Sequence, residues 1–153
     1  EAMRLYTDAT LVMGGAYFEG RWFQTFFPPD IARYPIAVKE LYTLVLAVSS
    51  WAGELQARKV ALYAYCDNQN SVFAFNNGGT RVPIMNALLR SLHSIAAFHE
   101  FAVHVKFVYG RDNTIADMLS RDDVQGCRRV TEQWGWPMDK LPTRTKPFRI
   151  FFD

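Results

Sequence analysis

An α/β domain, built as a mixed sheet with helices packed on its faces, is the fold class that the sequence predicts. Three observations predict it. The first 27 residues hold three strand-like runs, long helical and strand-like runs then alternate, and half of the 153 residues are apolar, enough to form a core.

Each element has its own signal. The run "MRLYTDA" (3–9) is rich in strand formers, and "VMGGAYFEGRWFQTFF" (12–27) reads as two further strands joined by a tight Glu19-Gly20 turn. Three prolines in "PPDIARYP" (28–35) interrupt the pattern. Residues 36–55 then place Val38, Leu41, Leu44, Val45, Val48 and Trp51 at helical spacing. "KVALYAYC" (59–66) predicts a fourth strand. A short helix at "NQNS" follows, and then a long one over 83–101, with Pro83 in its first turn and Ile84, Leu88, Leu92 and Ile95 along one face. "AVHVKFVY" (102–109) supplies the fifth strand, and "NTIADMLSR" (113–121) a last short helix with Asn113 as N-cap. The expected division is one compact domain over 1–122. Residues 123–153 follow as a short helix near 128–135 and an extended, solvated tail carrying Arg128, Arg129, Arg144, Lys146 and Arg149.

Bulk properties narrow the function classes. No apolar run reaches the roughly 20 residues of a membrane span, and the N-terminus lacks the basic and apolar regions of a signal peptide, so no membrane partner is expected. A start without Met suggests a segment of something longer. The formal charge of +2 decides nothing by itself. Cys66 and Cys127 lack CxxC spacing, which favours free thiols in a reducing, intracellular compartment, cytoplasmic or nuclear, with a single disulfide as the alternative. Oligomeric state is not legible.

Four acids sit where a sheet or an apolar stripe would not choose them. Asp8 ends the first strand. Glu40 heads the helical stripe that continues through Leu44, Ala47, Val48 and Trp51, and so is aimed at the sheet. Asp67 ends the fourth strand with the parity of Tyr63 and Tyr65, and Asp117 lies on the final helix beside Ile115, Ala116 and Leu119. Each has a structural explanation: turn starts at the strand ends, Asp67 as a cap for "NQNS", Asp117 at its helix dipole, Glu40 as a solvated first-turn acid. If the first and fourth strands are parallel neighbours, however, Asp8 and Asp67 meet at their C-terminal ends. Such like charges call for a counter-charge, and two divalent ions about 4 Å apart on oxygen ligands supply it, the arrangement that hydrolyses phosphodiesters.

The same residues, "TDAT", "KELYTL", "CDNQNSV" and "NTIADMLSR", with acids spaced by 32, 27 and 50 residues, resemble the ribonuclease H domain of reverse-transcribing elements. "CDNQNSVFAFNNGGTR" and "ADMLSR" are most similar to DIRS-type, tyrosine-recombinase retrotransposons. Hepadnaviral polymerases are a more distant likeness, and the resemblance covers roughly residues 4–122. It implies an RNase H-like fold, a five-stranded mixed sheet whose first three strands are antiparallel. It also implies cleavage of the RNA strand of RNA-DNA hybrids during reverse transcription, leaving 5′-phosphate and 3′-hydroxyl ends. Asp8, Glu40, Asp67 and Asp117 would be the catalytic and metal-binding residues for two Mg²⁺ ions, with Mn²⁺ as substitute. The partners would be the hybrid, a polymerase and the other domains of a parent polyprotein.

Substrate contacts are expected from polar residues near the acids. Asn68, Gln69 and Asn70 could meet a 2′-hydroxyl, or merely start a helix. The turn Gly78, Gly79, Thr80, Arg81 could meet a phosphate through its amides and Arg81, or Thr80 could cap the next helix. The mobile His that many cellular enzymes of this type carry before the last Asp is absent from "VYGRDNTIAD", and Arg111 is the nearest candidate for its role. His93, His99 and His104 are expected to pack or face solvent. Two rival functions remain: a nuclease of this fold acting on DNA, like an integrase or resolvase, and a non-catalytic connector or binding module.

Overall fold

The computed structural model describes residues 2–138 and 143–151. Five strands, β1 (Ala2–Ala9), β2 (Met13–Phe18), β3 (Arg21–Phe26), β4 (Ala61–Cys66) and β5 (Val103–Phe107), form one sheet in the order β3-β2-β1-β4-β5. The pairs β1–β2 and β2–β3 are antiparallel, while β1–β4 and β4–β5 are parallel. The expected mixed sheet is therefore present. Glu19 and Gly20 both have positive φ, 51° and 85°, the backbone that lets a two-residue hairpin follow the sheet's twist.

Among the described residues the helices are α1 (Pro29–Ala32), α2 (Ile36–Arg58), α3 (Gln69–Asn76), α4 (Pro83–Phe98), α5 (Thr114–Ser120) and α6 (Val124–Trp134), with a 3-10 turn at Gly110–Asp112. The main core lies between the sheet and α2 with α4, and Leu5, Phe18, Phe23, Leu44, Leu62 and Leu88 fill it. A smaller core on the opposite face joins Tyr17 and Trp22 to Ile115, Leu119 and Cys127 under α5 and α6. With 23 residues, α2 is long and apolar enough to cross a membrane, contrary to the sequence expectation. Its composition follows from its place as the central helix, covered by the sheet on one side and α4 on another.

Both cores reach β2, whose six residues are all buried. The close approach is possible because of two consecutive glycines. A Cβ on Gly14 would strike the side chain of Thr43 in α2, and a Cβ on Gly15 would lie 2.6 Å from Leu119 Cβ and 2.8 Å from the Ser120 amide in α5. Two helices thus press on one strand from opposite faces.

Several local expectations are corrected. The prolines of 28–35 do not exclude helix, since α1 forms a single turn there with Pro29 in its first position. Asn113 is the N-cap residue of α5, as expected, but its side chain makes no capping bond; Nδ2 instead donates to the Thr7 carbonyl, 2.8 Å away, tying the loop to β1. Thr80 does not cap α4, whose N-cap is Val82. α6 starts at Val124, earlier than expected, because Asp123 accepts from the Gly126 amide at 2.9 Å. Both cysteines are buried free thiols.

Residues 143–151 lie outside the helices and strands, and they are not a solvated tail; the rest of the expected tail, 139–142 and 152–153, lies outside the described residues. Ser49 Oγ donates to the Lys146 carbonyl (2.8 Å), Ser91 Oγ to the Arg149 carbonyl (2.6 Å) and Arg90 to the Phe151 carbonyl (2.8 Å). Phe148 and Ile150 pack against the main core. What holds this strap is its backbone, carbonyls and amides alike, since the Lys146 amide also donates to Ser50 Oγ at 3.0 Å, together with two apolar residues.

Candidate metal centre

Parallel pairing of β1 with β4 ends at Thr7 and Cys66, so the next residue of each strand, Asp8 and Asp67, emerges at the same edge of the sheet. Glu40 reaches that edge from α2. It lies one turn before Thr43, which rests on Gly14, and Gly14 pairs with Ala9 beside Asp8. One carboxylate oxygen from each of Asp8, Glu40 and Asp67 lies within 4.8 Å of the others. Asp8 and Glu40 are only 5% and 3% exposed, so water screens their repulsion poorly.

The electrostatic result is a strained cluster. Burial first, then the charge of Asp67, pushes the Asp8 carboxyl up to about 8. Burial again leads for Glu40, followed by its hydrogen bond to Asp67 and the charge of Asp8, and pushes it up to about 11. Glu40 Oε1 is buried with no hydrogen-bond partner. Burial, then Glu40, also holds the neighbouring Cys66 thiol well above its usual range, leaving it protonated and inert. Hard oxygen donors, an orphaned carboxyl oxygen and acids that cannot ionise together without a counter-charge suit a divalent cation such as Mg²⁺ or Mn²⁺, which would take the place of their protons.

The fourth acid stands slightly apart. Asp117 is half-buried on the first turn of α5 and borders Asp8, but its Oδ1 accepts from Arg121 Nε at 3.0 Å, one turn along. It is not part of the close trio.

The proposed substrate contacts vary in how free their groups are. Asn68 Oδ1 caps α3 by accepting from the Ser71 amide at 3.0 Å, while Gln69 and Asn70 are exposed on the first turn of that helix. In the Gly78–Arg81 loop the amides of Gly78, Gly79 and Thr80 donate to Phe75 O, Ala74 O and Asn86 Oδ1. The loop therefore offers the exposed Arg81 side chain rather than those amides. Arg111 lies over the Tyr109 ring, its guanidinium carbon 5.0 Å from the centroid, next to Gly110, whose added Cβ would sit 3.5 Å from Asp67 Oδ2. The histidines pack or face solvent: His93 stacks on Phe75, His99 pairs with Gln56, and His104 meets the Tyr63 ring edge-on.

Gly14, Gly15 and Arg121 were not among the residues singled out from sequence. For the glycines a signal existed, because two glycines inside a strand former-rich run mark a close backbone approach. Arg121 had only its i,i+4 spacing from Asp117.

No protein-family model matches the chain, and no curated protein does. Among solved structures it is similar to ribonuclease H1 from the halophilic archaeon Halobacterium salinarum, with a TM-score of 0.60 at 15% identity over 82% of this chain and 99% of that one. It is also similar to the N-terminal RNase H domain of a Mycobacterium tuberculosis protein, with a TM-score of 0.50 at 15% identity over 85% and 98% of the two chains. A ribonuclease H1 isolated from compost gives a TM-score of 0.50 at 9% identity over 83% and 96%. The fold is RNase H-like, and these identities speak to the fold alone.

Proposed function

We propose that the chain is a ribonuclease H, a metal-dependent endonuclease that cuts the RNA strand of RNA-DNA hybrids. The observation that carries this reading is the trio of Asp8 and Glu40, both buried, with the partly buried Asp67 at one sheet edge of an RNase H-like fold. We further propose that it serves a reverse-transcribing element as one domain of a larger polyprotein, a reading that rests on the "CDNQNSVFAFNNGGTR" and "ADMLSR" segments.

In this reading Asp8, Glu40 and Asp67 would hold two divalent cations, and Asp117, which pairs with Arg121 here, would be the fourth ligand. When bound, such ions stabilise charge on the attacking water and on the departing 3′-oxygen. The protein's own part is positioning. The rigid strand ends fix two carboxylates and α2 fixes the third, so the cations' places are set before substrate arrives. Gln69 and Asn70, exposed on α3 just after Asp67, would test for a 2′-hydroxyl, the group that distinguishes RNA from DNA. Arg81 and Arg111, both exposed, would meet phosphates of the substrate.

The test is incubation with labelled RNA-DNA hybrid, duplex DNA and duplex RNA in Mg²⁺. Cleavage of the RNA in the hybrid is expected, and Asp67→Asn is expected to lose it by a factor of at least about 10³, since no other group occupies that ligand position. Preferential cutting of either duplex, or an Asp67→Asn protein as active as its parent, would overturn the proposal.

A further inference from the structure

The face of the sheet turned away from α2 is only partly covered. α5 and α6 close over β1, β2 and β3 on this side, but Tyr63 and Tyr65 of β4 stay half exposed and His104 and Lys106 of β5 are exposed. The register lines these residues up in rows. Arg4, Tyr63 and His104 are cross-strand partners, and so are Tyr6, Tyr65 and Lys106. The rows are two residues apart along the strands, about 7 Å, and the next row in the same direction is Asp8 and Asp67.

Aromatic rings dominate the surface. Tyr6 and Tyr65 stack at 5.2 Å between centroids with 18° between planes, and Trp136, beyond the end of α6, stacks on Tyr17 at 5.8 Å while lying 6.1 Å from Tyr6. The Tyr17 hydroxyl donates to the Pro137 carbonyl at 2.6 Å, which holds the Trp136 segment over the sheet. Between Arg4, Tyr6, Tyr17, Glu19 and Trp136 a cleft of about 300 Å³ is open, room enough for one base with its sugar. The charges that flank the rings are mainly positive: Arg4 in the first row, and Lys106, whose ammonium also lies 5.8 Å from the Tyr63 ring centre. Glu19 is the acid at the cleft rim.

Rings alternating with cations on an open sheet are the chemistry that holds a single-stranded nucleic acid: every base has a face to stack, and each phosphate meets a positive charge. A protein partner would be met by aliphatic surface without the need for cations in register. We propose that this face is a platform for single-stranded nucleic acid, with bases stacked against Tyr6, Tyr65 and Trp136 and phosphates met by Arg4 and Lys106. The strand so held runs toward the carboxylate edge. The proposal goes beyond the hydrolytic reading and does not depend on it, since binding on these rows requires neither metal nor the carboxylates.

The test is binding of a fluorescently labelled single-stranded oligonucleotide to the 153-residue chain in EDTA, read by anisotropy and by quenching of tryptophan emission. Tyr65→Leu, which keeps apolar cover on the sheet but removes the ring, is expected to weaken binding about tenfold. Lys106→Glu and Arg4→Glu, at exposed positions, should weaken it similarly and lower the log-log salt slope by about 0.7 for each cation removed. Arg58→Glu, at the far end of α2, should change affinity less than about twofold, and Asp67→Asn should bind at least as tightly as the parent. Absence of oligonucleotide binding would leave the face to a protein partner and overturn the proposal, as would equal weakening by Arg58→Glu. Loss of hybrid cleavage with this binding intact would count against the nuclease reading alone.

Discussion

At the scale of single residues, Asp8 and Glu40 are the groups whose chemistry the fold changes most. Unfolded, Asp8 titrates near 3.8, and in the folded protein its carboxyl keeps its proton to about 8. Between those values the folded state binds more protons than the unfolded one, so metal-free stability falls as pH rises from about 4 to about 8. The expected slope is at most about 1.4 kcal/mol per pH unit for this one group. Thermal melting in EDTA should show a Tm declining over that range, with Asp8→Asn flattening the decline. Millimolar Mg²⁺ should raise Tm more at pH 8 than at pH 5, because cations favour the ionised carboxyls. An Mg²⁺ shift equal at both values would mean that the cluster does not take the ion. Asp8, Glu40 and Asp67 were legible in sequence because each violates the pattern of its element. Asp117's pairing with Arg121 and Asn113's reach to Thr7 were not, since one turns on a rotamer and the other on a contact across 106 residues.

At the scale of elements, the decisive feature is β2 between α2 and α5. Glu40 and Asp117 come from helices on opposite faces of the sheet, and both helices are seated on the double glycine. Gly15→Ala meets α5 backbone, which cannot yield locally, and should cost about 1–3 kcal/mol in urea unfolding. Its effect on hybrid cleavage should exceed what the unfolded fraction explains, because α5 carries Asp117. Gly14→Ala meets only the Thr43 side chain. Adding Thr43→Ala should therefore recover most of its stability loss, and failure of that rescue would show that another contact sets the α2 seat. The strands and long helices were legible as periodicities, and helix starts less so, because caps such as Asn68 and Asp123 depend on which of several polar neighbours wins the first amides. The two glycines carry their meaning in side chains that are missing, which no periodicity reports.

At the scale of the whole molecule, helices pack on both faces of the sheet, fully on one and partly on the other, and the strap of 143–151 lies across α2 and α4. Phe148→Ala should cost about 1–3 kcal/mol, the transfer value for a partly buried ring, measured by urea unfolding. Truncation after residue 122 removes α6 together with the strap, uncovers Tyr17 and Trp22, and should leave a protein with a much lower Tm and a broadened transition by circular dichroism. An unchanged Tm would make residues 123–151 dispensable to the fold. The strap was not legible in the sequence because its basic composition resembles that of a linker, whereas its anchors are backbone groups and two apolar side chains. The central position of β1 also sets a timetable for the nascent chain. β1 leaves the ribosome first, yet β4 begins about fifty residues later, so at about 5–20 residues per second one edge of the strand waits unpaired for seconds. The β2–β3 hairpin is synthesised at once and can occupy the other edge. α2 emerges during the wait and can cover the apolar side, which leaves the closing of the sheet, and with it the meeting of Asp8 with Asp67, as a late event in the protein's synthesis.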